Sequence, residues 1–598
     1  MKLLKQRIEA LYDTITAKNI LFWLSGDFPE QDKKEITQLL DQNPQYLKEL
    51  FSTTLVFGTG GLRSPMGIGT NRMNTFTVRR ATQGLAQVLR SHQRHVEDMP
   101  CVVIGYDTRH HSLEFAHETA KVLAGNGCKA LLFKNPEPLA LTSFTVRQES
   151  ATAGVMITAS HNPPEYNGYK VYMASGGQIL PTLAEEIVKV CAQVETIFSV
   201  DSIEDPKIRI LGEEYETAYI DTVRKLQLYP ADNRRSGKTL HLSYSPLHGT
   251  GVSILPRVLK DWGFLLVKLV EEQALPDGDF PTVRLPNPED PEALALGIKQ
   301  LMANKDDIFI ATDPDTDRVG VVCLDEGLPY RFNGNQIACL LADHILGAWS
   351  QQRQLDKEDK IVKSVVTTEM LTAIAQHYHA DIVNVETGFK YIGEKIELWR
   401  HSPMRFVFGA EESYGYLYGT HVEDKDAIIA SAIVAEAALQ QKLLGKTLRD
   451  ALLELYETHG YFANKTESFV FSEQHHKEEM REKLSRFEKQ ITNFTSLGNY
   501  KIEKFENYSK SLGMHMLSGT TYSLELPRTS MLCYYFSGGA RIIIRPSGTE
   551  PKVKFYFEVV HKYSEPTTDK HLQKQREKES FETLDLFITD FKEKFSTL

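Results

Sequence analysis

Cysteine is scarce in this chain: six in 598 residues, at positions 101, 128, 191, 323, 339 and 533, with no CxxC pair and no zinc-ligand spacing. So thin a set excludes a disulfide framework and fits a reducing cytoplasm. Long hydrophobic runs are missing as well. No apolar stretch reaches the ~20 residues that span a bilayer, and the opening Met-Lys-Leu-Leu-Lys-Gln-Arg scatters charge where an export signal carries an uninterrupted apolar segment. Neither membrane insertion nor export is expected. Basic residues fall short of acidic ones, 68 against 79, for a formal charge of −11. Nothing in the global charge therefore attracts nucleic acid or an anionic membrane, and any phosphate site must be a local basic patch. There is no low-complexity tract, and 41% hydrophobic with 25% charged residues is the composition of a globular protein.

What the chain has is length for several cores, roughly four at ~150 residues each. Leu4, Ile8, Leu11 and Ile15 stand at helical spacing and predict an amphipathic opening helix that packs. From about 100 to 210, β-branched runs such as Val102-Val-Ile104 and Gly154–Ile157 alternate with helical patterns such as Phe115–Ala124, which is an α/β signature. A second α/β unit starts near Lys238, passes through Pro246-Leu-His-Gly-Thr-Gly251 and includes the strand Ile308–Ala311. A third holds Ile361–Val366, Phe406-Val-Phe408 and the helix Ala427–Gln441. Three such units in a row hint at internal repetition. Beyond 460 the texture changes to a charged helix over 473–491, with Met480, Leu484, Phe487 and Ile491 on one stripe. Strands near Cys533–Phe536 and Arg541–Ile544 follow, then a closing helix with Leu584, Phe587, Ile588, Phe591 and Phe595 on its apolar face.

Four runs carry chemistry. Thr158-Ala-Ser-His-Asn-Pro163, continuing to Lys170, gathers hydroxyls, an imidazole and an ammonium behind a strand end. Asp313-Pro-Asp-Thr-Asp-Arg318 alternates three carboxylates in a tight loop. It lacks the glycine and distal glutamate of a calcium-binding EF-hand, and an all-oxygen set suits Mg²⁺. Gly409-Ala-Glu-Glu-Ser-Tyr-Gly-Tyr416 offers a carboxylate and a hydroxyl to vicinal sugar hydroxyls. Arg545-Pro-Ser-Gly-Thr549 combines a guanidinium, two hydroxyls and a glycine-opened backbone suited to a phosphate dianion. A hydroxyl nucleophile beside clustered carboxylates is the equipment of metal-assisted phosphoryl transfer.

In this order the runs resemble the phosphoserine, metal, sugar and phosphate loops of the α-D-phosphohexomutase superfamily, enzymes that move phosphate between C1 and C6 or C5 of a sugar. Phe57-Gly-Thr-Gly-Gly-Leu-Arg63, Gly67-Ile-Gly-Thr-Asn-Arg-Met-Asn74 and Phe280-Pro-Thr-Val…Pro286-Asn-Pro-Glu289 are most similar to the branch of phosphoglucomutase-2, phosphopentomutase and related bacterial phosphoglucomutases. The resemblance implies an α/β fold: three α/β/α layered domains with mixed sheets over 1–210, 211–330 and 331–458, and a smaller α+β domain over 459–598, around a central cleft. It implies Ser160 as the phosphoserine and a metal ligand, with Asp313, Asp315 and Asp317 holding Mg²⁺. Arg63, His161 and Lys170 then line the reacting end, beside Arg318. Glu411 and Ser413 bind sugar hydroxyls, while Arg545, Ser547, Gly548 and Thr549 hold the phosphate that is not reacting. Lys425 and Lys390 are the two candidates for general base, and either needs its pKa lowered by a crowded cationic pocket. Two positions depart from the pattern: Tyr414 replaces a common phenylalanine, and Gly60 replaces a serine frequent in hexose-specific relatives. The implied activity is glucose 1-phosphate/glucose 6-phosphate interconversion with glucose 1,6-bisphosphate as intermediate and activator; phosphopentomutase and phosphomannomutase are the alternatives. A metal-dependent phosphohydrolase and a non-catalytic sugar-phosphate binder are the competing classes. Sugar phosphates are the expected partners of a cytoplasmic monomer or dimer.

Overall fold

The computed structural model describes residues 2–55, 57–58, 60–93, 98–470, 482, 485–486, 496–546 and 552–596. The charged stripe over 473–491 lies almost entirely outside them, and so do Ser547, Gly548 and Thr549.

Three sheets repeat one plan. In each, a first strand pairs in parallel with a second on one side and with a third on the other, and the third turns back into an antiparallel fourth. The strands, in chain order, are Cys101–Tyr106, Lys129–Phe133, Ala153–Ile157 and Tyr166–Met173 in the first sheet. They are His241–Ser245, Leu266–Leu269, Ile308–Thr312 and Val319–Asp325 in the second, and Asp359–Ser364, Asp381–Val385, Arg405–Glu411 and Gly415–Tyr418 in the third. The repetition suggested by the sequence is thus a repetition of topology. The central strands are buried along their length, as in Ala153–Ile157 and Ile308–Thr312, which is why they read as continuous apolar runs rather than alternating ones. The turn between third and fourth strands carries the serine run in the first unit, the aspartate run in the second and the Glu411 run in the third. Each turn also contains a non-glycine residue in the left-handed region: Ser160 at φ 51°, Thr316 at 57° and Tyr414 at 67°. That conformation costs about 1 kcal/mol per residue and persists where surrounding contacts enforce it.

The C-terminal unit is an antiparallel sheet in the order Tyr461–Val470, Lys552–His561, Arg541–Pro546, Leu532–Phe536, Tyr500–Asn507, Leu512–His515, Thr521–Ser523. Helix Lys570–Ser596 covers it, burying Leu584, Phe587, Ile588, Phe591 and Phe595 as the apolar spacing predicts. Arg541 binds this unit to the third: its guanidinium donates to the carbonyls of Val365 at 3.0 Å and Thr367 at 2.7 Å and pairs with Glu369 and Glu558.

The chain opens differently from the expected single helix. Asp13 accepts hydrogen bonds from the Ile15 and Thr16 amides and so starts a second helix, Thr14–Ser25, after Lys2–Leu11. The change of axis leaves Leu11 and Ile15 exposed and only Ile8 of the proposed stripe fully buried. Two further helices, Glu30–Gln42 and Pro44–Phe51, complete a small unit around Trp23, Leu47 and Phe51. Among the described residues no single helix is long and apolar enough to cross a membrane. Helix Ala427–Leu443, apolar on all sides, is instead buried within one cluster that runs continuously through the first three units.

Glu436 is a carboxylate inside that helix with no solvent exposure. It accepts from the amides of Leu228 and Tyr229 and from the Asn233 side chain at 2.6 Å, which also reaches Gln227, and so closes the loop that carries these donors. Replacing Glu436 by Ala takes the acceptor from the Leu228 and Tyr229 amides, at a cost of about 3 kcal/mol. Native-state hydrogen exchange at Leu228 and Tyr229 is expected to accelerate ~10²-fold, with a smaller change in Glu436→Gln, which keeps an acceptor.

Candidate active site

The three repeated turns meet at one point. Ser160 is 3% exposed. Its hydroxyl donates to Asp315 Oδ2 at 2.8 Å and accepts from Lys170 Nζ at 2.9 Å; the same ammonium lies 2.8 Å from Asp315 Oδ2 and 3.6 Å from Asp317. Lys170 reaches the serine because its strand, Tyr166–Met173, is the antiparallel return of the same hairpin. Arg63 stands opposite Gly168 on the adjoining strand Gly61–Pro65 and donates to Asn162 Oδ1 at 3.1 Å. That close pairing needs glycine at 61, where φ is 148° and a Cβ would fall 1.9 Å from the Tyr169 carbonyl oxygen.

Asp313, Asp315 and Asp317 are buried, with one carboxylate oxygen from each within 4.8 Å of the others. Asp313 Oδ1 accepts from the amides of Asp317 and Arg318, which folds the loop over itself. Asp313 Oδ2, Asp315 Oδ1 and Asp317 Oδ1 are buried and have no hydrogen-bond partner among the described residues. Three clustered carboxylates, each with an oxygen left unpaired, are a fit for a hard divalent cation, and among the described residues neither sulfur nor imidazole joins the cluster. Burial and the neighbouring Asp317 and Asp315 push the Asp313 pKa well above the ordinary carboxylate value. Burial also opposes ionisation of Asp317, but Lys425, Lys170 and Arg318 outweigh it and hold its pKa below the ordinary value.

Lys425 comes from the third unit, 3.2 Å from Asp317 and 3.0 Å from Asp424. Burial disfavours its charge, yet Asp317, Asp424 and Glu411 prevail and raise its pKa above the ordinary lysine value. The lowering expected of a general base is found at Lys390, where burial and Arg545 depress the pKa against the pull of Glu386. His161 is neutral: burial, with the positive fields of Arg318 and Arg63, takes it well below the ordinary imidazole value. Arg318 lies 3.8 Å from Asp317 and 3.9 Å from Glu289, which gives the Pro286–Glu289 run its place beside the metal loop.

Glu411 is buried, accepts from the Gly388 amide at 2.8 Å and has its pKa raised by burial. Ser413 is half-buried at the tip of the same turn. Arg545 lies next to the end of its strand, Arg541–Pro546, beside Tyr556 and within the electrostatic reach of Lys390. The Gly67–Asn74 run proves structural: Asn74 caps helix Thr75–Ser91 and donates to the Gly67 and Gly69 carbonyls. One residue at the site escaped the sequence reading altogether. Arg109, 3% exposed, donates to four carbonyls of the serine loop, those of Ser160, Asn162, Pro163 and Tyr166.

Models of the four phosphoglucomutase/phosphomannomutase domains match in order: α/β/α domain I over 54–197, domain II over 217–327, domain III over 333–459 and the C-terminal domain over 529–567. The chain belongs to the phosphoglucomutase/phosphomannomutase family. It is 35% identical over 519 residues to the phosphoglucomutase of Staphylococcus saprophyticus, covering 85% of this chain and 91% of that one. To the phosphoglucomutase of Staphylococcus aureus (strain MRSA252) it is 36% identical over 526 residues, covering 85% and 90%. The fold is shared with the open form of the Paramecium phosphoglucomutase pp63/parafusin, at TM-score 0.65 and 15% identity over 89% of this chain and 95% of that chain. It is shared too with a phosphoglucomutase/phosphomannomutase family protein of Burkholderia thailandensis, at TM-score 0.60 and 17% identity over 89% and 97%. The protein is a phosphosugar mutase, an intramolecular phosphotransferase of the α-D-phosphohexomutase superfamily with three α/β/α domains and a C-terminal fourth.

In this mutase Lys425 passes directly over Gly415, where a Cβ would lie 2.1 Å from the lysine Cδ. Gly415→Ala is expected to displace the ammonium from Asp317 and lower turnover at least ~10-fold, with the melting midpoint little changed. Steady-state assays and a thermal melt on the same sample check this.

Proposed function

We propose that the enzyme interconverts glucose 1-phosphate and glucose 6-phosphate through phospho-Ser160 and glucose 1,6-bisphosphate. The observation that carries the reading is the Ser160 hydroxyl held between Lys170 and Asp315 beside three unpaired aspartate oxygens. The phosphoglucomutase relatives at 35% identity favour glucose as the sugar.

Phospho-Ser160 gives its phosphoryl group to the free hydroxyl of the sugar monophosphate. The bisphosphate then turns end for end and returns its other phosphate to Ser160. Lys170, at 2.9 Å, supplies the proton that the serine oxygen needs as the phosphoryl group leaves. Arg63 and Arg318 hold phosphoryl oxygens, and the neutral His161 offers a hydrogen bond without a charge of its own. Glu411 and Ser413 orient the sugar hydroxyls. Arg545, together with Ser547, Gly548 and Thr549, grips the phosphate that is not reacting. The orphaned oxygens of Asp313, Asp315 and Asp317, with Ser160, would hold Mg²⁺, which when bound screens the phosphate charge during transfer. Lys425 balances the same acids from the opposite side. Of Lys425 and Lys390, the general base is the one whose change to Arg, which keeps its charge but cannot give up its proton, removes turnover without weakening substrate binding.

With Mg²⁺ and a trace of glucose 1,6-bisphosphate, kcat/KM is expected to be higher for glucose 1-phosphate than for mannose 1-phosphate or ribose 1-phosphate. A higher value for ribose 1-phosphate would make the enzyme a phosphopentomutase, and release of inorganic phosphate in place of isomerisation would make it a hydrolase. Ser160→Ala is expected to lose at least ~10⁴-fold in turnover. Asp315→Asn is expected to remove the binding heat of Mg²⁺ in a calorimetric titration that needs no substrate.

A further inference from the structure

The Phe280-Pro-Thr-Val283 run, singled out in the sequence, and the loop after strand Cys101–Tyr106, which was not, take no part in the chemistry above, yet they are packed against each other beneath Ser160. The Arg109 guanidinium donates through one terminal nitrogen to the Pro163 and Tyr166 carbonyls, at 2.8 and 3.1 Å, and through the other to those of Ser160 and Asn162, each at 2.5 Å. Its Nε lies 3.3 Å from Asp107 Oδ2, and both side chains are sealed from solvent. Asp107 is itself fixed by the Arg109 amide and the Ser112 hydroxyl. The ring of Phe280, from the second domain, lies 4.9 Å from the guanidinium carbon. Phe280 is fully buried and held in the left-handed region at φ 47°. The surrounding segment binds the same loop of the first domain: the Thr108 hydroxyl donates to the His248 carbonyl, His110 pairs with Asp279, and a Cβ at Gly278 would fall 2.7 Å from the His110 nitrogen.

Six contacts thus converge on one arginine, and four of them fix carbonyls of the turn that carries the nucleophile in a left-handed conformation. A planar guanidinium fork can address four carbonyls at once; the ammonium of lysine, with three donors on one atom, cannot. We infer that Arg109, clamped by Asp107 and roofed by Phe280 across the domain boundary, is a positioning residue that aims the Ser160 oxygen and registers the first domain against the second for phosphoryl transfer. The inference rests on Ser160 as the phosphoryl carrier. It assigns no contact between Arg109 and the sugar, so its loss acts on the transfer step and not on substrate affinity.

The test begins with phosphoserine stoichiometry in the parent enzyme charged with glucose 1,6-bisphosphate; no phosphate on Ser160 would overturn the reading on which the inference rests. Single-turnover transfer from phospho-Ser160 to glucose 1-phosphate is then compared in Arg109→Lys, Arg109→Ala and Phe280→Leu. Transfer is expected to fall ~10²-fold in Arg109→Lys, with KM within threefold of the parent value. Millimolar guanidinium ion is expected to recover at least tenfold in Arg109→Ala, a response that a general loss of folding would not show. Phe280→Leu, which keeps an apolar roof, is expected to lie between parent and Arg109→Lys, and it carries the test if the arginine variants do not fold. A parent-like transfer rate in Arg109→Lys, a KM that rises as much as the rate falls, or no response to guanidinium would each overturn the inference.

Discussion

The site depends on a balance of buried charge. Asp313, Asp315 and Asp317 are withdrawn from water on one short loop of the second domain. Taking three carboxylates into the interior is tolerable only with positive charge close by. The cations come from different parts of the chain: Lys170 from the first domain, Arg318 from the second and Lys425 from the third. No single domain neutralises the acids alone, so completing the site and assembling the domains are one event. The three oxygens still unpaired after that assembly mark where a further positive charge belongs.

The geometry that allows this convergence is the shared strand plan. Ends of parallel strands, where a chain must leave the sheet, collect exposed polar groups at one edge. Here three sheets direct the same edge, and the same hairpin, toward a common centre. The left-handed residues at 160, 316 and 414 show that all three turns are bent beyond what side chains ordinarily accept. The contacts that hold them are local in different ways. Thr316 is gripped by Thr250 and by the Asp313 carbonyl, Tyr414 lies in its own tight hairpin, and Ser160 is secured from beneath by an arginine.

Much of this was legible in the residues. The serine, aspartate and Glu411 runs stood out because each concentrates polar groups directly after an apolar strand. Arg109 was illegible for a physical reason: its partners are main-chain carbonyls 51 to 57 positions away, and a backbone acceptor has no letter in a sequence. The first helix was overextended because Leu11 and Ile15 kept the helical period although Asp13, a strong helix-starting residue, stood between them. The strands Leu512–His515 and Thr521–Ser523 were missed because three or four residues are too few to set up a pattern. The contrast between the two lysines is likewise a property of surroundings. Lys425 and Lys390 are the same side chain and burial disfavours the charge of both; three acids overcome it at Lys425, whereas at Lys390 the one acid, Glu386, does not.

The Glu411 hairpin is the shortest of the three repeated turns, with strands ending at Glu411 and resuming at Gly415. Neither Ser160 nor the aspartate loop is anchored through Ser413 at its tip, whereas Gly415 at its far end must stay open for Lys425. Between its fixed ends Glu412 is held as well, its amide donating to Thr367 and its carboxylate accepting from Ser364, which leaves the half-buried Ser413 side chain at the tip. A new side chain at 413 therefore changes what the turn presents at its tip while Lys425 and the aspartate loop stay in place.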